Sequence, residues 1–164
     1  MSGAAYLGAL AAYRTGTGLV QIYTAKEKLV ILQSQIPEAI ITTYEKYDVN
    51  ELHRLIDWAD VVAIGSGLGT KKTARKILKE TIAYTKKPCV IDADGLNILS
   101  EHMDYLCGAD CDPPDLHAGR AGHGDLPLLS FPLPLYLFQL FGKAFPARER
   151  LLPLNRLLAF GSDL

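Results

Sequence analysis

A chain of 164 residues, 49% hydrophobic and 21% charged, can bury one core but not two comfortable ones, so a single domain is expected. A formal net charge of −1 and a pI near 6.4 leave no basic footprint for a phosphate backbone, which argues against nucleic acid as a partner. Three cysteines, an odd number, without a secretory start argue against a disulfide framework and for a reducing cytoplasm.

The opening MSGAAYLGALAAY is apolar, yet no Lys or Arg precedes it and Arg14 ends it too early for a membrane span. Residues 3–15 (GAAYLGALAAYRT) read as a helix of small residues with Gly16 as its stop, and 18–24 (GLVQIYT) as a strand. Thr24 and Glu27 have capping-box spacing before KLVILQ. A second strand is expected at 38–44 (EAIITTY). Asp48 and Glu51 then form a cap-like pair, followed by Leu52, Leu55 and Ile56 on one helical face. The strand DVVAIG leads into a glycine loop and a helix over about 71–86, with Ala74, Ile77, Leu78 and Ile82 inward. A further strand is expected at 88–94 (PCVIDAD), where Cys89 is a small buried side chain. His53 and His102 read as helix-surface residues, and the nine lysines before residue 107 as solvated helix faces. Alternating strands and helices imply a parallel sheet covered on both faces.

In such sheets ligands sit beyond the carboxyl ends of the strands, where Gly65-Ser66-Gly67-Leu68-Gly69 and Asp92-Ala93-Asp94-Gly95 are both expected. The glycine loop is not a dinucleotide fingerprint, because Thr stands at position 70, and it is not a Walker A loop, because Lys71 is wrongly spaced. A dinucleotide, a nucleoside phosphate, the edge of another substrate and a plain tight turn all remain open on these residues alone. Asp94 alone reads equally as a helix cap or as a ligand contact.

The composition breaks after residue 106. Residues 1–106 hold 11 Ile, 6 Val and 9 Thr, whereas 107–164 hold none, and seven of the nine prolines fall in the later segment. That tail should therefore be irregular, since prolines without β-branched residues are poor material for sheet strands. Cys107, Cys111, His117 and His123 have ligand-competent identities, but the short spacing between the pairs argues against zinc, and no metal site is expected. LPLLSFPLPLYLFQLF at 126–141 is too short and too rich in proline for a membrane helix.

Four blocks, MSGAAYLGALAAYRTGTGLVQIYT, IPEAI, VVAIGSGLGT and VIDADGLNIL, resemble in order and spacing the NAD(P)H-hydrate dehydratases, over about residues 1–106. Ser66 stands where that family usually has Pro, and Gly95 where it usually has Ala. The resemblance implies a ribokinase-like three-layer α/β/α domain with a mainly parallel sheet, incomplete over 1–106. It also implies use of ADP or ATP with Mg²⁺ to phosphorylate the ring hydroxyl of hydrated NADH or NADPH and then eliminate phosphate. By the same resemblance Gly3, Ala4 and Ala5 start a helix against the hydrated ring, Gly65, Gly67 and Gly69 let backbone approach the substrate, and Asp94 and Asn97 lie beside the cleft. The family's Thr-Pro-His-Pro-Gly-Glu block, its Lys-Gly segment and its Gly-Thr-Gly-Asp loop are absent, so no catalytic residue can be carried over. Residues 107–164 accordingly read as an atypical Pro/Leu-rich tail, a frame-shifted or misannotated end. The expected protein is a fragment of a soluble hydro-lyase, acting on a small molecule, with no membrane or nucleic-acid partner and with a homo-oligomer left open. The alternatives are another ribokinase-like small-molecule kinase and a non-catalytic nucleotide-binding module.

Overall fold

The computed structural model describes residues 2–106, the backbone of 116–119, and 156–160. Helix α1 (Ser2–Arg14) is stopped where the sequence predicts. Gly16 takes φ +98°, and the amide of Thr17 reaches back to the Ala12 carbonyl at 3.1 Å, closing the last turn. Strand β1 (Leu19–Ala25) runs one residue further than expected, which corrects the Thr24–Glu27 capping box. Thr24 is a strand residue paired with Thr43, and its buried hydroxyl has no partner among the described residues. The chain instead enters α2 (Leu29–Gln35) through a single 3₁₀ turn, Lys26–Lys28.

Strand β2 (Ile40–Tyr44) is followed by α3 (Val49–Trp58), where Asp48 caps the helix by accepting from the Asn50 amide at 2.9 Å. Glu51 does not reciprocate, because the Arg54 guanidinium holds its carboxylate at 2.6 Å. Strand β3 (Val61–Ile64), helix α4 (Lys72–Tyr84), strand β4 (Cys89–Asp92) and helix α5 (Asp94–Glu101) complete the expected alternation. Leu52, Leu55, Ile56, Ala74, Ile77, Leu78 and Ile82 all face the core.

The six-stranded sheet has the order β2-β1-β6-β3-β4-β5, and every pairing is parallel. Its fifth and sixth strands, β5 (Leu116–Gly119) and β6 (Arg156–Phe160), come from the tail. The expectation that the tail supplies no sheet strand is thus overturned at these two segments. β6 is even central, lying between β1 and β3. Strand propensity is weak evidence wherever two neighbouring strands offer unpaired backbone on both sides, and Leu-Leu-Ala-Phe suits a position buried on both faces. The remaining tail, with Cys107, Cys111, His123 and the 126–141 segment, lies outside the described residues.

Two apolar layers hold the sheet. Ala5, Ala9 and Ala12 of α1 and Leu32 of α2 pack on one face with Val20, Ile22 and Leu157. Helices α3, α4 and α5 cover the other face, with Val62, Ile91, Leu158 and Phe160 beneath them. One lysine read as a solvated charge acts within the fold. The Lys87 ammonium donates to the carbonyls of Ile56, at 3.1 Å, of Asp57, at 2.6 Å, and of Ala59, closing the end of α3 over the start of β4. Lys87→Ala leaves those carbonyls short of a donor at the negative end of a helix, and should cost about 1–3 kcal/mol. Urea denaturation with an unchanged m value would register this as a lower midpoint.

Candidate functional site at the carboxyl ends of strands three and four

Strand order departs in opposite directions from β6, with β1 and β2 on one side and β3, β4 and β5 on the other, so a crevice opens beyond the strand ends there. Two connections meet at its rim, residues 65–69 leaving β3 and residues 92–95 leaving β4. Gly65, Gly67 and Gly69 have φ of +119°, +73° and +77°. At Gly65 the requirement comes from the chain itself. A Cβ there would stand 1.9 Å from the Asp92 carbonyl oxygen and 2.9 Å from the Gly95 amide nitrogen. Gly95 completes the contact from the other side, since its own Cβ would stand 2.8 Å from Ile91 Cγ2 and 3.2 Å from Gly65 Cα. Two glycines therefore let two loop backbones touch.

The second loop is strained. Ala93 sits at φ 46°, ψ −116°, a conformation costing an L residue on the order of 1–3 kcal/mol. Asp94 Oδ2 accepts from the Gly69 amide at 2.8 Å, and the Ser66 hydroxyl donates to Asp92 Oδ2 at 3.3 Å. The kink at Ala93 thus aims two carboxylates, one residue apart, at the same glycine loop. Asp94 is not the N-cap of α5, which is Ala93; one of its carboxylate oxygens fastens the glycine loop.

Ala4, Ala5 and Gly8 of α1 face Ser66, Asp92 and Phe160 across a cavity of about 40 Å³, room for water rather than for a ring. Of the residues singled out in the sequence, Ala4 and Ala5 meet the loop region, while Gly65, Gly67, Gly69 and Asp94 build it. Gly3 and Asn97 are solvent-exposed and line no described cavity. Sequence reasoning did not single out Ser66 or Asp92 as participants. The alternating carboxylates of Asp-Ala-Asp were the available signal, once the intervening residue was allowed to kink.

Cys89 is fully buried, and burial pushes its thiol up to about 12, so it supplies no nucleophile. His53 stacks on Tyr84 at 3.6 Å and meets Glu80 at 2.7 Å, whereas His102 stacks on Tyr105 at 5.0 Å beside Arg75. Both rings are partly buried packing elements rather than exposed surface. Among the described residues no group of three or more His, Cys, Asp or Glu side chains could hold a metal, and no helix is long and apolar enough to cross a membrane.

Residues 1–111 match the family model described as NAD(P)H-hydrate dehydratase. The chain is 36% identical over 115 residues to an ATP-dependent (S)-NAD(P)H-hydrate dehydratase of Drosophila melanogaster, covering 65% of this chain and 37% of that protein. It is 35% identical over 104 residues to an ADP-dependent (S)-NAD(P)H-hydrate dehydratase of Streptococcus thermophilus, covering 60% and 36%. A ribokinase-like superfamily protein of Enterococcus faecalis superimposes with a TM-score of 0.55 at 31% identity, over 60% of this chain and 35% of that one. A hypothetical protein of Streptococcus mutans gives 0.60 at 26% identity, over 71% and 40%. The chain spans less than two fifths of the length of the two dehydratases it matches.

Proposed function

The chain belongs to the NAD(P)H-hydrate dehydratase family, and we propose that it forms the substrate-side part of such an enzyme, presenting the loop over 65–69 to a hydrated nicotinamide cofactor. The observation that carries this is the pair of interlocked loops at the ends of β3 and β4, in a segment that the family model covers throughout. Positive-φ glycines remove side chains from the surface a flat ring would meet, and Asp94 keeps that surface in one shape. Ser66 and Asp92 line the small cavity behind it and supply polar atoms at the mouth.

ADP or ATP would supply the phosphoryl group that turns the ring hydroxyl into a good leaving group. The described residues offer no cluster for Mg²⁺ on their own, so no step is assigned to the metal. This chain's residues bind and orient, while a general base and an anion hole of the Gly-Thr-Gly-Asp type have no counterpart in its sequence.

Binding and turnover should therefore separate. Hydrated NADH should raise the thermal midpoint of the purified protein. Turnover with ADP or ATP, followed by the return of dihydronicotinamide absorbance, should fall at least about 10⁴-fold short of a complete enzyme, because a base and oxyanion donors each contribute roughly 10² or more. An unchanged midpoint at saturating hydrated NADH would remove the substrate-side reading. Turnover near one per second would show that the residues after 106 provide the missing groups.

A further inference from the structure

The glycine loop is held at its far end as well, by Arg75, one turn into α4. Each of the three guanidinium nitrogens reaches a different residue. Nε donates to the Thr70 carbonyl at 3.0 Å, Nη2 to Glu101 Oε2 at 2.9 Å, and Nη1 to His102 Nε2 at 2.9 Å. Thr70 directly follows Gly69, whose amide Asp94 already holds. Asp94 is the first residue of α5, while Glu101 is its last and His102 its C-cap. Helix α5 therefore grips two successive loop residues from both of its ends, directly at one and through Arg75 at the other. Gly67 and Gly69, at positive φ and without side chains, have little of their own to fix their backbone, so the grip sets the shape of the loop.

The contact with His102 fixes the state of the ring. A guanidinium only donates, so the nitrogen it meets must carry a lone pair and the ring proton must sit on Nδ1. A second proton would remove that acceptor and set two cations 2.9 Å apart. Charged and titratable groups surround the ring. Helix α4 brings Arg75, and Lys79 over the face of Tyr105; α5 brings Glu101; the 3₁₀ turn Met103–Leu106 brings Asp104 and Tyr105, whose ring stacks on His102 at 5.0 Å. The two cations and two carboxylates offset one another, so the direct contact at Nε2 decides.

We infer that Arg75 is a positioning residue for the loop over 65–70 and that neutral His102 locks it in place, so that the loop is released when the ring takes up a proton. That the held surface receives a hydrated nicotinamide rests on the proposed function, whereas the hold itself does not.

Amide hydrogen exchange at Gly69, corrected for the intrinsic pH dependence of exchange, reads the hold without a ligand. Arg75→Met keeps the aliphatic stem and removes all the donors, and should lower Gly69 protection by about three- to tenfold at about pH 8. The wild-type chain should lose protection by the same factor as the pH falls from about 8 to about 5, the range over which an imidazole charges. His102→Phe keeps a ring on Tyr105 without an acceptor and should be loose at both pH values, while His102→Gln keeps an acceptor that cannot charge and should be held at both. A packing role for His102 alone predicts the reverse order, since Phe preserves the stack and Gln loses it, and that order would overturn the lock. Arg54→Gln is the control, because it removes an exposed pair with Glu51 on α3 and should leave Gly69 unchanged. Protection in Arg75→Met equal to that of the wild type would overturn the hold. A pH-dependent loss that persists in His102→Gln would place the titrating group elsewhere and overturn the lock. Hydrated NADH should bind Arg75→Met about three- to tenfold more weakly than the wild type, following the loop. If the wild-type chain fails to bind it while Gly69 responds as described, the proposed function falls and the hold stands.

Discussion

Gly65→Ala should destabilise the protein by about 4 kcal/mol or more, whereas Gly16→Ala, at a similarly positive φ, should cost only about 1–2 kcal/mol. The two positions separate two effects. At Gly16, with φ +98°, an added Cβ meets nothing within 4 Å, so only the backbone conformation is penalised. At Gly65, with φ +119°, the same methyl would stand 1.9 Å from the Asp92 carbonyl oxygen, well inside contact distance. The backbone of one loop must retreat, and retreat breaks the Gly69–Asp94 bond and releases the strain stored at Ala93. Hydrated NADH should then lose its protective effect at a temperature where the variant is still folded. Chemical denaturation of the two variants side by side is the measurement. Equal losses would mean that the approach of the two loops contributes nothing.

The alternation of elements over residues 2–106 was legible because each carries its own period. Helix α3 shows Leu52, Leu55 and Ile56 at helical spacing, and β3 is a short branched run bounded by Asp60 and Gly65. Capping was less legible. Asp48 stands alone before its helix and caps it, while Thr24 has the same local pattern but lies inside a strand whose pairing to β2 continues to Ala25. Tertiary pairing decides between those outcomes, and a four-residue window does not contain it.

The site was legible only as separate pieces. Three glycines within five residues announce an unusual backbone, but whether a ligand or the chain itself approaches depends on Asp92, more than twenty residues away. The resemblance placed Asp94 beside the cleft, and the structure makes it the fastening of the glycine loop.

The largest effect should come from the strand that the composition hid. β6 pairs with β1 from Leu19↔Arg156 to Tyr23↔Phe160 and with β3 from Val61↔Leu157 to Ala63↔Ala159, so it joins two halves of the sheet that otherwise do not pair. Its side chains also enter both layers, with Leu157 packed under α1 while Leu158 and Phe160 lie in the layer beneath α3, α4 and α5. Leu158 is wholly buried. Leu158→Ala should cost about 2–5 kcal/mol. Leu158→Asp places an unpaired carboxylate at the same point and should abolish cooperative unfolding, because the penalty exceeds the few kcal/mol by which a domain of this size is held together. A chain ending at residue 155 should fail in the same way, exposing unpaired backbone on β1 and β3. A peptide carrying residues 154–164, added in excess, should restore a cooperative melt, and the same peptide with Leu158→Pro should not, since proline cannot donate in a central strand. Urea denaturation followed by far-UV circular dichroism reads all five cases. A shortened chain that melts cooperatively at the full-length midpoint, without the peptide, would show that β1 and β3 close the sheet by themselves.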